Sequence, residues 1–112
     1  NDLACGDDGN DVMEGERGND YLLGGAGADR MQGNAGGDDL VGGEGNDDLR
    51  GDTGIDDLTG GPGDDRLRGG GDRDVLQGSE GTDVLDGGSA VDTCTDVDQE
   101  GPFLSCELPT IG

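Results

Sequence analysis

Histidine and tryptophan are absent from this 112-residue chain, and it holds one tyrosine, one phenylalanine and six basic residues. Each shortage excludes something. Without histidine there is no imidazole for acid–base work near neutral pH, and the commonest ligand for zinc and copper is missing. No G-x-S-x-G elbow, C-x-x-C pair or Walker loop occurs, so no catalytic set can be assembled and no enzyme is expected. Six basic residues stand against 28 acidic ones, a formal charge of −22. That balance opposes docking on nucleic acid or on anionic membrane surfaces. No apolar run approaches the length that spans a membrane, so membrane insertion is not expected. With 28% hydrophobic residues and 27 glycines, composition alone describes a disordered polyanion.

What is present is order of another kind. Glycine recurs every nine residues from Gly6 to Gly87, and aspartate recurs at the same interval from Asp11 to Asp92. A large apolar residue follows two places after each aspartate: Met13, Leu22, Met31, Leu40, Leu49, Leu58, Leu67, Leu76 and Leu85, with Cys94 in the last repeat. Ten repeats run without insertion or deletion, and Asp2 extends the spacing into an incomplete one before them. Gly42 to Arg50, GGEGNDDLR, shows the unit: Gly-Gly-x-Gly-x-Asp-x-Leu-x. A fixed period of this sort outranks any local reading of secondary structure.

The first six places are turn chemistry, since glycine accepts positive φ and close backbone approach. The last three predict a very short strand whose middle residue faces inward while its neighbours face out. One such unit cannot bury its leucine alone. Coiling with two repeats per turn stacks each strand on the strand 18 residues later and makes two parallel sheets around a thin Leu/Met ladder. Each aspartate then lies one rung, about 4.8 Å, from the next. Carboxylates that close repel unless a cation stands between them. The glycine turns are expected to leave carbonyls without ladder partners. Carboxylates and carbonyls without soft ligands favour Ca2+ over transition metals, and Mg2+ is disfavoured by its tight octahedron.

These residues resemble the haemolysin-type calcium-binding nonapeptide repeat of RTX proteins, over about 90 of 112 residues. The resemblance implies an all-β fold, a right-handed parallel β-roll (a solenoid) with two repeats per turn over residues 1–95. It implies calcium at the ladder Asp2, Asp11, Asp20, Asp29, Asp38, Asp47, Asp56, Asp65, Asp74, Asp83 and Asp92. Nine pairs at a spacing of 18 can be written, hence about nine Ca2+. Departures from the repeat are Asp72 and Ala90 at the fourth place, and Asp7, Glu16, Asn34, Asp52 and Ser79 at the second.

After Thr95 the period fails, and residues 96–112 carry Phe103, Leu104, Leu108 and Ile111. This tail is expected to cap the open end of the roll. Cys94 and Cys106 look like the ending of exported bacterial proteins of this type, which implies a disulfide between them; two buried free thiols are the alternative. Cys5 is then unpaired. The expected setting is extracellular, as a calcium-dependent structural protein whose copies join end to end into a filament or matrix. The competing expectation is a calcium-triggered folding module of a larger secreted enzyme or toxin. Arg50-Gly51-Asp52 spells an adhesion tripeptide, but adjoining repeats generate it by chance.

Overall fold

The structure, a computed structural model, describes residues 2–95 and the strand Phe103–Leu104. Its elements are all strands: β1 (Leu3–Cys5), β2 (Val12–Glu14), β3 (Tyr21–Ala26), β4 (Arg30–Ala35), β5 (Asp39–Glu44), β6 (Asp48–Thr53), β7 (Asp57–Thr59), β8 (Arg66–Gly70), β9 (Val75–Gln77), β10 (Val84–Gly88), β11 (Thr93–Thr95) and β12 (Phe103–Leu104). Odd strands form one six-stranded sheet in sequence order, and even strands form the other. Every pairing is parallel and joins residues 18 apart, as in Leu22 on Leu40 on Leu58. The chain is therefore a parallel β-solenoid with two nonapeptides per turn, the coil that the period predicts.

Alternation within each strand places the core. Leu22, Met31, Leu40, Leu49, Leu58, Leu67, Leu76 and Leu85 are buried, and Met13 and Cys94 continue the file at its two ends. Each buried side chain is flanked along its strand by outward neighbours. The core is thus one side chain deep, filled alternately from the two sheets.

One expectation is corrected. The glycine turns do continue the ladder. In the middle of the roll β3 to β6 each run six residues, through the second and third places of the next repeat. Outside the strands, bridges join Asp8 to Ala26 and Arg17 to Ala35. The Ala26 N–H donates to the Asp7 carbonyl (2.9 Å), and Gly27 N–H to the Glu44 carbonyl (2.9 Å). The reason is repetition. All twenty residues at the second and fourth places have positive φ, from Asp7 to Ala90, so turns of identical shape stack with donors and acceptors in register. Even the non-glycine residues at these places, such as Glu16 (φ 71°) and Ala90 (φ 80°), follow the stack. They hold a left-handed conformation that side chains disfavour.

Strand β12 lies outside the nonapeptide period yet keeps the register, with Phe103 on Leu85 and Leu104 on Asp86. The tail thus adds a rung to the even sheet at the C-terminal end. The remainder of 96–112 lies outside the described residues, and so does the Cys106 partner expected for Cys94. Arg50-Gly51-Asp52 lies within β6, where the Asp52 Oδ2 accepts from Gln32 Nε2 (2.6 Å).

Candidate functional site

The nine aspartate pairs written from the spacing are all in contact. In each, the backbone N–H of one aspartate donates to Oδ1 of the aspartate 18 residues later, at 2.6–2.9 Å, from Asp2 on Asp20 to Asp74 on Asp92. The same residues' carbonyls accept from the seventh-place N–H one turn on, as Asp47 does from Arg66 (2.8 Å). Position is set by the repeat: the strand that follows fixes each aspartate against its neighbour, and the glycine turn before it brings the backbone close.

Burial is nearly complete. Asp20, Asp29, Asp38, Asp47, Asp56, Asp65, Asp74, Asp83 and Asp92 are 0–3% exposed, whereas Asp11 is half-buried and Asp2 exposed. In Asp11, Asp29, Asp38, Asp47, Asp56, Asp65, Asp74 and Asp92 the second oxygen, Oδ2, is buried and accepts no hydrogen bond. A buried carboxylate oxygen without a partner is costly. Burial, more than the neighbouring carboxylates, pushes the Asp56 and Asp65 carboxyls up to about 7 and those of Asp47 and Asp74 to about 6. The backbone hydrogen bond to Oδ1 pulls the other way and does not offset it. Asp38 and Asp92 are raised for the same reason.

The first-place glycine explains itself here. A side chain on Gly42 would run into Oδ2 of Asp47 and the Gly60 carbonyl oxygen, the latter 2.8 Å from its Cβ position. Gly24 and Gly69 face their own aspartate oxygen and next-turn glycine carbonyl in the same way. The missing side chain keeps the space beside Oδ2 open, with a backbone carbonyl on its rim at Gly24, Gly42 and Gly69. Among the described residues no three acidic or thiol side chains gather into one cluster. A cation on this ladder would therefore take carboxylate oxygens along the stack and complete its shell from the backbone. Hard oxygens in an adaptable number are what Ca2+ accepts. The donor set fits that ion.

Sequence reasoning missed a second ladder. Asn10, Asn19, Asn46 and Asp64, all at the fifth place, accept through Oδ1 from the backbone N–H 18 residues later, at 2.8–2.9 Å. It runs opposite to the aspartate ladder, in which the later turn supplies the acceptor. Recurrent Asn or Asp just before the ladder aspartate was the signal for it.

Fold and site together define a class: a repeat solenoid whose turns converge on stacked, partly unsatisfied carboxylates. The family model of the RTX calcium-binding nonapeptide repeat (four copies) matches residues 5–40, 23–58, 41–76 and 59–94. The chain belongs to this calcium-binding family, whose β-roll is a structural fold rather than a catalytic one. No curated protein and no solved structure matches the chain.

Proposed function

We propose that this is an extracellular structural protein that folds on Ca2+, holding about nine ions at the ladder from Asp2 to Asp92. The observation that carries this is the row of buried, partnerless Oδ2 atoms in a chain of formal charge −22. Nine Ca2+ supply +18 and leave about −4. At calcium tenfold above each Kd, linkage adds about 1.4 kcal/mol per site, roughly 12 kcal/mol in all. Far-UV circular dichroism with a calcium titration tests it. The chain is expected to be unfolded in chelator and β-rich in calcium, with about nine ions bound per chain. A native-like β spectrum in chelator defeats this reading.

The right-handed coil and the Cys94–Cys106 disulfide are part of the same proposal. A bridge there closes a loop of about 13 residues and stabilises by about 3 kcal/mol. Support for it comes from Cys94, buried at the end of the core, and from β12, which brings the tail back over that end. Thiol titration of denatured, unreduced protein is expected to find one thiol per chain, Cys5.

Calcium-loaded rolls then join head to tail. Among the described residues strand β1 lies at one edge of the odd sheet, and a strand edge is a template for another chain. A contact between that edge and a neighbour's tail does not close on itself and grows into a filament. Electron microscopy in millimolar calcium checks this; monodisperse single rolls speak against it. A second reading is a calcium-triggered folding module of a larger secreted enzyme or toxin. It is favoured by the matched unit being a repeat rather than a whole protein. A catalytic domain encoded alongside would select it.

A further inference from the structure

One side of the roll departs from the repeat. Each even strand leads through the third to fifth places of the next repeat into an odd strand. On this side the fifth place reads Asn19, Gly37, Ile55, Arg73 and Val91. Ile55 is 67% and Val91 47% exposed, and Arg73 between them is exposed too. A shallow cavity of about 600 Å³ is lined by Ile55, Asp72, Arg73, Ala90 and Val91. Asp72 and Ala90 are the residues that replace glycine at the fourth place, so both irregular turns open onto this groove. The Asp72 carboxylate is committed, its Oδ2 accepting from the Gly54 N–H (3.0 Å). Elsewhere the fifth place holds Asn, Asp, Ala, Gly or Thr, and the nine-residue pattern calls for no branched apolar side chain there. An apolar groove with one exposed cation marks a docking surface.

We propose that residues 105–112 of the same chain dock in this groove, running down the side of the roll across its last turns. Topology brings them there. Strand β12 lies on β10, and β10 leads onto this side at residues 89–91, so the chain leaving Leu104 starts one rung above the groove. Spacing fits as well. Pro109 favours polyproline II for itself and for Leu108 before it. In that conformation residues three apart share a face and stand about 9.3 Å apart. Leu108 and Ile111 are so related, while Ile55 and Val91 hold the same place two rungs apart, about 9.6 Å. Leu108 then seats against Val91 and Ile111 against Ile55. Glu107, the segment's single charged side chain, supplies the counter-charge for Arg73. A tethered segment meets the groove at about millimolar effective concentration, whereas another copy brings a formal charge of −22 with it. Ile55, Arg73 and Val91 each precede a ladder aspartate, so the docked segment braces the turns that hold Asp56, Asp74 and Asp92. Docking rests on the calcium-folded roll but needs neither the disulfide nor end-to-end joining.

Ile55 and Ile111 are the chain's two isoleucines, so isotope labelling of isoleucine methyl groups leaves these residues alone to observe by NMR. In the calcium-loaded chain a nuclear Overhauser contact between them is expected, unchanged on dilution and absent between labelled and unlabelled copies. Ile111→Ser is expected to lower the calcium-loaded melting temperature by at least about 2 °C, and to lower it no further in an Ile55→Ser background. Both variants keep Cys106. Should Ile55→Ser fail to fold, Val91→Ser paired with Leu108→Ser carries the same comparison. Circular dichroism with a calcium titration on each sample separates lost docking from lost folding. A folded, calcium-loaded roll without the isoleucine contact overturns the docking alone. So does a contact formed only between copies, which makes the segment's place a neighbour's groove. A chain that stays unfolded in calcium overturns the calcium reading and the docking with it.

Discussion

At the scale of the residue, Asp29, Asp38, Asp47, Asp56, Asp65, Asp74 and Asp92 each have two oxygens with different tasks. Oδ1 is committed to a backbone amide; Oδ2 is buried without a hydrogen-bond partner and is the one open to a cation. Asp56→Asn separates them, because an amide keeps the acceptor and removes the charge. It is expected to raise β content in chelator and to weaken calcium binding, both measured by circular dichroism during a calcium titration. Asp47→Ala removes the acceptor of the Asp29 amide, as Asp92→Ala removes that of the Asp74 amide; but Asp47 lies between Asp29 and Asp65, so its carboxylate would serve two interturn ions and that of Asp92 one. Loss of calcium-dependent stability should be clearly larger for Asp47→Ala, and equal losses would argue against ions shared between turns. Gly42→Ala fills the space beside Asp47 Oδ2 and should cost about 1–3 kcal/mol in calcium, read by thermal melting.

The carboxyls raised to about 6 or 7 also set a pH dependence. Their ordinary value is 3.8, so the metal-free roll binds protons more tightly than the unfolded chain. That stabilisation is complete below about pH 4 and is lost as pH rises through 6 to 7. Acidifying the chain in chelator from pH 8 to about 5 is therefore expected to restore β signal. In calcium, protons compete for the same oxygens, and affinity should fall over the same window. A chelated chain equally unfolded at both pH values would contradict this.

At the scale of the element, no strand here is self-sufficient. Strands β1 to β11, three to six residues long, stand only because each neighbour supplies its hydrogen bonds and one contact in the core. Leu49, fully buried between its register partners Met31 and Leu67, should cost about 2–5 kcal/mol on truncation to alanine. Met13, 8% exposed near the end of the file, should cost less, and comparing the two by calcium-dependent melting maps cooperativity along the roll. Asn46→Ala releases the Asp64 amide and, by analogy with helix caps, should cost about 1 kcal/mol.

At the scale of the whole molecule, charge is expected to control folding and, on the proposed reading, the joining of copies. The core is one side chain thick, so a chain of formal charge −22 is expected to depend on calcium to offset the repulsion among its 28 acidic residues. Removing calcium should unfold the chain and disperse any assembly together. Light scattering with stepwise chelation checks whether the two losses coincide. Association and folding are expected to share one midpoint, because the strand edges that would join copies exist only in the folded roll.

The nine-residue period by itself determined the strands, the buried file from Met13 to Cys94, the register of 18 and the aspartate ladder, because a strict repeat admits one stacking that buries every leucine. It also marked where regularity ends, after Thr95. Three things waited for the tertiary structure. The glycine turns carry ladder hydrogen bonds, which depends on equal φ in every turn and not on any single residue. The link between successive aspartates is an amide-to-carboxylate bond that leaves Oδ2 as the open oxygen, a matter of side-chain direction that spacing does not contain. Placement of Arg30, Arg50, Arg66 and Arg68 on one sheet and of Leu3, Tyr21, Leu23 and Val41 on the other follows from an 18-residue coil. Within a nine-residue frame these positions are equivalent; only two repeats per turn set them on opposite faces.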